Sequence, residues 1–164
     1  MTIRAVNERD EKQLRLFLLD LCEDSRRLRF FTGGADVGSA AHWAAGTAAD
    51  RYGLLAHDEA GVLVGHAVYV NIDQTRAEVA IEVADHLHDH GLGTILLERL
   101  ASAAERDGIR QFVAEVLGDN NLMLDVARNG FDAAIVFRDG VEMIECPTSA
   151  WRVARERFES PHED

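Results

Sequence analysis

The segment that most narrows the fold lies between residues 77–83 and residues 94–106. The first stretch alternates, with Glu78, Ala80 and Glu82 on one parity and Val79, Ile81 and Val83 on the other, which reads as a strand. The second is a long amphipathic run closed by Gly108, which reads as a helix. Between them runs Val83-Ala84-Asp85-His86-Leu87-His88-Asp89-His90-Gly91-Leu92-Gly93-Thr94. A strand that enters a long helix through Gly-Leu-Gly implies a layered domain of helices on a sheet. The glycines let a ligand approach the backbone, and the unpaired N–H groups of the helix start carry roughly half an elementary charge, a combination suited to a pyrophosphate. A dinucleotide fingerprint is excluded because Leu96 stands where the third glycine is required, and a P-loop is excluded because no Gly-Lys-Ser/Thr follows. A plain strand-to-helix turn is the bland alternative.

The rest of the chain supplies strands and helices around this unit. Residues 3–6 read as a strand and residues 8–21, with Leu14, Phe17, Leu18 and Leu21, as a helix. Residues 25–31 are arginine-rich; Gly33, Gly34 and Gly38 mark a loop before a helix at about 42–49. Residues 54–56 and 62–70 form a hairpin pattern around a turn at 58–61, and Asp73-Gln74 turns the chain into 77–83, giving three consecutive antiparallel strands. A strand at 112–117, a helix at 120–128 ended by Gly130, and a closing hairpin of 134–137 with 141–144 around Asp139-Gly140 complete the domain. Residues 149–158 read as helical and 159–164 as a frayed tail, so one domain of α/β (α+β) type is expected over residues 1–158.

Composition bounds the partners. The formal charge of −12 and the absence of any Lys/Arg block longer than Arg26-Arg27 argue against a phosphate polymer such as nucleic acid, and suit a cationic substrate better. No stretch approaches the ~20 apolar residues of a membrane span, and the N-terminus lacks the order of a signal peptide, so a cytoplasmic location without membrane contact is expected. Cys22 and Cys146 stand far apart and suggest neither a disulfide framework nor a thiolate zinc site. His86, His88 and His90 have a spacing that could suit zinc or copper, but three ligands on a glycine turn lack an evident second shell, and no metal is expected.

Four stretches in register carry a resemblance to the GNAT superfamily of N-acetyltransferases. They are residues 25–31, residues 82–94, Glu115-Val116-Leu117 with Asp119-Asn120 and Met123, and residues 139–142. The 88–93 segment is similar to that superfamily's Gln/Arg-x-x-Gly-x-Gly/Ala loop, with His88 in the Gln/Arg place. More narrowly, the chain resembles the GNAT domain of bacterial protein lysine acetyltransferases, including those fused to acyl-CoA synthetase-like modules. The resemblance implies a mixed, mostly antiparallel sheet of about six to seven strands, flanked by helices, whose fourth and fifth strands splay apart. It implies acetyl-CoA in that cleft, with Val83 and Ala84 holding the pantetheine, backbone amides of His88, Asp89, His90, Gly91, Leu92, Gly93 and Thr94 holding the pyrophosphate, and Asn120 hydrogen-bonding the cofactor arm. For Asn120, helix capping is an equally good account. Two departures stand out: Asp89 places a carboxylate where phosphate oxygens would arrive, and Ala127 occupies a position where many members have tyrosine.

A lysine amine has a pKa near 10.4, so attack on a thioester at neutral pH needs a base. Glu82, at the end of its strand beside the turn, is the expected general base through a water, matching the resembled enzymes' strand glutamate. Glu115 on the neighbouring strand is the reserve candidate, and a solvated polar face is the alternative for Glu82. Arg29, in the stretch that the resemblance puts near the acceptor, is a candidate substrate contact. The expected function is acetyl-CoA-dependent N-acetyl transfer to a primary amine, with a protein lysine as acceptor, by direct attack in a ternary complex of a monomer or homodimer. A small-molecule amine acetyltransferase, a non-catalytic acyl-CoA sensor and a purely structural interaction domain are the alternatives.

Overall fold

A computed structural model describes residues 1–30 and 36–151, apart from the side chain of Asn129. Phe31, Gly33, Gly34 and the expected helical tail and frayed end beyond residue 151 lie outside the described residues. Seven strands form one mixed sheet: β1 (Thr2–Ala5), β2 (Arg51–His57), β3 (Leu63–Asn71), β4 (Arg76–Val83), β5 (Gln111–Val116), β6 (Ala134–Arg138) and β7 (Val141–Pro147). Their spatial order is β1-β2-β3-β4-β5-β7-β6. Among the described residues only β4 and β5 pair in parallel. The expected run of three antiparallel strands is β2 to β4, and the sheet is the mixed, mostly antiparallel one that the resemblance implies.

The helices are α1 (Glu11–Asp20), α2 (Glu23–Phe30), α3 (Val37–Ala45), α4 (Leu92–Arg106) and α5 (Asn121–Asp125). Several boundaries differ from the sequence reading, most of all around the helices. A 3-10 turn at Glu8–Asp10, capped by Asn7, precedes α1. The arginine-rich stretch is itself a helix, α2. Asp36 caps α3 through the amides of Gly38 and Ser39, so this helix starts and ends earlier than residues 42–49. The fifth helix is short because residues 126–130 continue it as a π turn.

Two apolar clusters occupy the two faces of the sheet. The larger packs Leu92, Leu96, Leu97, Leu100, Ala101 and Ala104 of α4 against Tyr69, Ala77, Val79, Val83, Phe112 and Ile144. Each fully buried leucine contributes roughly 1.5–3 kcal/mol. Gly65 on β3 permits this close packing, since a Cβ there would lie 3.0 Å from Leu96 and 3.3 Å from Leu92. The smaller cluster joins Leu14, Phe17, Leu18 and Leu21 to Ala41, Ala44, Ala45 and Leu55, seating α1 and α3 on the opposite face.

Candidate active site

The parallel strands touch only at their beginnings. Arg76, Ala77 and Glu78 pair with Gln111, Phe112 and Val113. Beyond that point β4 stays on β3 as far as Val83, and β5 stays on β7 as far as Val116. The two strands diverge, and a cleft of about 370 Å³ opens between them. Its lining includes Val79, Ile81 and Val83 from β4, Ala114, Glu115 and Val116 from β5, and Asn120, Leu122 and Met123 beyond β5. The β4 backbone groups that face this gap have no strand to bond, so an extended polar ligand can take the place of one.

At the mouth of the cleft the chain enters α4. Gly91 has φ of 77°, in the left-handed region that favours glycine, and a Cβ there would meet no protein atom within 4 Å. A second cavity, about 210 Å³, is lined by His88, Asp89, Gly91, Gly93, Thr94 and Gly130 among others. The N–H groups of Leu92, Gly93 and Thr94 start α4 and have no intrahelical partner. An open concave turn with free amides fits a pyrophosphate. Asp89 is exposed and also left-handed, with φ of 62°. His88 turns inward, its Nε2 3.0 Å from the Val83 carbonyl, and His90 Nδ1 is 2.6 Å from the His88 carbonyl. Ala84 donates its amide to Val64 and accepts from Leu87, so the backbone groups of Val83 and Ala84 that the resemblance assigns to pantetheine already have protein partners at these atoms.

Helix α2 spans the open side of the cleft and is tied to both walls. On the β4 side, Asp85 accepts from the Cys22 amide at 2.7 Å and from the Ser25 hydroxyl. Burial pushes the Asp85 carboxyl up, but these donors outweigh it and hold it below its ordinary value. On the β5 side, Arg27 pairs with Asp119 at 2.7 Å. The helix thereby delivers Arg29, whose Nε donates to Glu82 Oε1.

Glu82 is buried, not part of a solvated polar face. Its second oxygen, Oε2, lies 2.8 Å from Nδ1 of His66 on β3. Burial pushes this carboxyl up, yet Arg29 and His66 prevail and hold it at about 2. The Glu82 of the structure is thus a fixed anion with both oxygens engaged. Glu115 is exposed on the cleft wall. Asn120 caps α5, its Oδ1 accepting from the Met123 amide at 3.1 Å, which leaves the amide NH2 as the donor it could offer a ligand. Ala127 is buried in the larger core. Tyr69 is buried too, its hydroxyl 2.5 Å from Asp107. Among the described residues the cleft lining holds no tyrosine.

A third cavity, about 370 Å³, lies on the α1–α3 face and is lined by Leu18, Phe30, Trp43, His66, Val68, Val70, Glu78 and Glu82, among others. It shares Arg29, Phe30, Glu78, Val79, Ala80 and Glu82 with the cleft, so the two cavities abut along the middle of β4.

His66 was not visible as a site residue in the sequence. A two-residue turn at Asp73-Gln74 would set it opposite Ile81. The wider loop, closed by the Ile72 amide on the Arg76 carbonyl, moves the register by one and sets His66 opposite Glu82.

The splayed parallel pair, the glycine turn into α4 and the cleft between them define an acyl-coenzyme A transferase architecture. The chain belongs to the acetyltransferase (GNAT) family, whose model matches residues 18–131. It is similar to the GNAT domain of S. lividans PAT, with 30% identity, 88% of this chain and 89% of that one covered, and a TM-score of 0.79. Two further structures share the fold. One is a ribosomal-protein-alanine N-acetyltransferase from Brucella melitensis, with 20% identity, 90% and 98% coverage and TM-score 0.68. The other is a phosphinothricin acetyltransferase from Sinorhizobium meliloti in complex with AcCoA, with 19% identity, 89% and 87% coverage and TM-score 0.69. No helix among the described residues is long and apolar enough to cross a membrane, and no group of three or more metal-ligating side chains gathers among them.

Proposed function

We propose that this domain transfers an acetyl group from acetyl-CoA to the side-chain amine of a protein lysine, both substrates being held at once. The abutment of the two cavities along Val79, Ala80 and Glu82 carries the reading. One cavity leads to the free amides of the α4 turn, suited to the cofactor's phosphates, and the other opens toward α1 and α3, so donor and acceptor can meet without either leaving its own site. The acceptor cavity has the chemistry of a lysine stem. Leu18, Phe30, Trp43, Val68 and Val70 offer apolar walls, and the exposed Glu78 offers negative charge to an ammonium.

When bound, acetyl-CoA supplies an activated carbonyl carbon and a thiolate that leaves more easily than an alkoxide. The amides of Leu92, Gly93 and Thr94 would hold its pyrophosphate, the apolar cleft walls its arm, and the Asn120 NH2 a carbonyl of that arm. The residues around Glu82 hold the amine, exclude water and manage its proton. With no tyrosine in the described cleft, the leaving sulfur takes its proton from the amine or from water. The free thiols Cys22 and Cys146 are compatible with a cytoplasmic location.

Calorimetric titration with acetyl-CoA, coenzyme A and dephospho-coenzyme A, followed by acetylation assays on lysine peptides and on polyamines, tests the reading. Micromolar binding and turnover on the peptides support it. Turnover confined to polyamines moves the acceptor to small amines. Binding without turnover on any amine makes the domain an acyl-CoA sensor, and no binding overturns the reading altogether.

A further inference from the structure

His66 is 1% exposed, and its Nε2 is a buried ring nitrogen without a hydrogen-bond partner among the described residues. His66 is among the residues that line the acceptor cavity, and its Nδ1 is engaged by Glu82. Arg29 holds Glu82 as an anion, and an anionic carboxylate only accepts, so the proton between the two residues sits on Nδ1. In the neutral ring Nε2 then carries a lone pair and no hydrogen. A buried acceptor left unpaired is destabilising, a cost that a donor entering the cavity would remove. An ammonium is such a donor.

We propose that His66 Nε2 is the base that takes the proton from the acceptor amine, and that Glu82 is a positioning residue that fixes the His66 tautomer instead of accepting the proton itself. The proposal rests on the reading of the α1–α3 cavity as the acceptor site. Glu82 is a poor candidate for direct proton transfer on geometric grounds, because Arg29 occupies one oxygen and His66 the other. The charged groups that line the cavity with His66 are Glu82, which touches its Nδ1, and Glu78 from β4 and Arg29 from α2; α1 and α3 contribute Leu18, Ala40, Trp43 and Ala44. In the step, the ammonium gives one proton to Nε2, and the freed amine bonds to the thioester carbonyl carbon. The carbon–sulfur bond then breaks with its electron pair on sulfur. A second proton passes from nitrogen to that sulfur, leaving an amide and a thiol, and the imidazolium returns its proton to water.

Two variants and one spectroscopic measurement test this. His66→Asn keeps a side-chain N–H near the Nδ1 position for Glu82 but has no basic nitrogen. It should lower kcat/KM on a lysine peptide by about 10²–10⁴-fold, leave acetyl-CoA affinity within about twofold, and abolish the acidic limb of the kcat/KM profile. His66→Ala should regain part of its activity when imidazole is added. Long-range proton–nitrogen correlation on the wild-type protein, with the His66 signals assigned by their loss in His66→Asn, should show a protonated Nδ1 and an unprotonated Nε2. Near-wild-type turnover in His66→Asn, an acidic limb that survives it, or no response of His66→Ala to imidazole would overturn the base role while leaving the acetyltransferase reading intact. A wild-type protein that acetylates no amine would instead defeat that reading. The tautomer measurement decides in either case, since a proton found on Nε2 removes the base.

Discussion

In the first half of β4, Arg76, Ala77 and Glu78 pair with Gln111, Phe112 and Val113, whereas in the second half residues 79–83 have no partner on β5, although β5 continues to Val116. The local sequences do not differ in strand character, since both halves alternate and both are held by their outer partners, β3 and β7. What differs is the use of the inner edge. In the closed half the backbone bonds are made within the protein and the side chains feed the α4 core. In the open half those bonds are forgone, and the space they leave becomes the cleft. Splaying costs only the bonds between β4 and β5, because each wall keeps its outer neighbour.

If this division holds, changes in the closed half damage stability and spare ligand binding. The largest effect is expected for Phe112→Ala. Phe112 is 1% exposed and packs on the Tyr69 ring at 6.0 Å between centroids. Its truncation should cost about 3–5 kcal/mol in urea unfolding, with acetyl-CoA affinity of the remaining folded protein unchanged. A matching loss of affinity would mean that the two halves are not separable.

Glu82 sharpens the comparison, because it is a buried charge at the open end. Its carboxyl is held at about 2 in the folded protein against an ordinary value of 4.5. A depressed carboxyl contributes stability above its unfolded value and loses it as pH falls through the folded one. That contribution should therefore be complete above pH 4.5 and decline toward pH 2, by something on the order of 3 kcal/mol. Urea midpoints measured across this range should fall less steeply in Glu82→Gln than in the wild type. Equal slopes would show that Arg29 and His66 do not hold the anion. Gly91→Glu reverses the pattern seen for Phe112. The protein has room for a Cβ there, so the fold should bear the strain of a left-handed glutamate at about 1–2 kcal/mol. The side chain would enter the phosphate turn, and acetyl-CoA affinity should fall at least about 100-fold, or ~2.8 kcal/mol, by calorimetry. Retained affinity would remove the turn from the ligand site.

The secondary-structure elements were more legible in the sequence than the contacts between them, for reasons visible residue by residue. The strand at 77–83, the helix after Gly93 and the Asp139-Gly140 hairpin follow from alternation, periodicity and turn chemistry, which act over a few residues. That Glu82 lies near the end of its strand beside the glycine turn also followed. Its partners did not. His66 reaches it through a hairpin register that depends on one extra residue in the loop after Ile72, and Arg29 reaches it on a helix whose charged composition reads as a surface segment. The tie of Asp85 to Cys22 and Ser25, more than 60 positions apart in the chain for Cys22, is of the same kind. Tertiary contacts between distant segments built the environment of the site, and spacing in one segment cannot report them.

The smallest effect bears on the charge at the open end. Asp89 is exposed, left-handed and on the lining of the phosphate turn. Asparagine tolerates the same backbone conformation, so Asp89→Asn removes the charge and keeps the turn. Repulsion between one exposed carboxylate and a bound pyrophosphate is worth about 0.3–1 kcal/mol at low salt, and the variant should bind acetyl-CoA roughly two- to fivefold more tightly than the wild type. Because the Debye length falls from about 10 Å at 0.1 M salt to about 3 Å at 1 M, the advantage should shrink as salt is raised, which separates charge repulsion from a change in loop shape. A gain that is independent of salt would point to altered geometry. No gain at low salt would mean that the phosphates settle away from Asp89, toward the free amides of Gly93 and Thr94, and that this departure from the family's usual loop carries no electrostatic penalty.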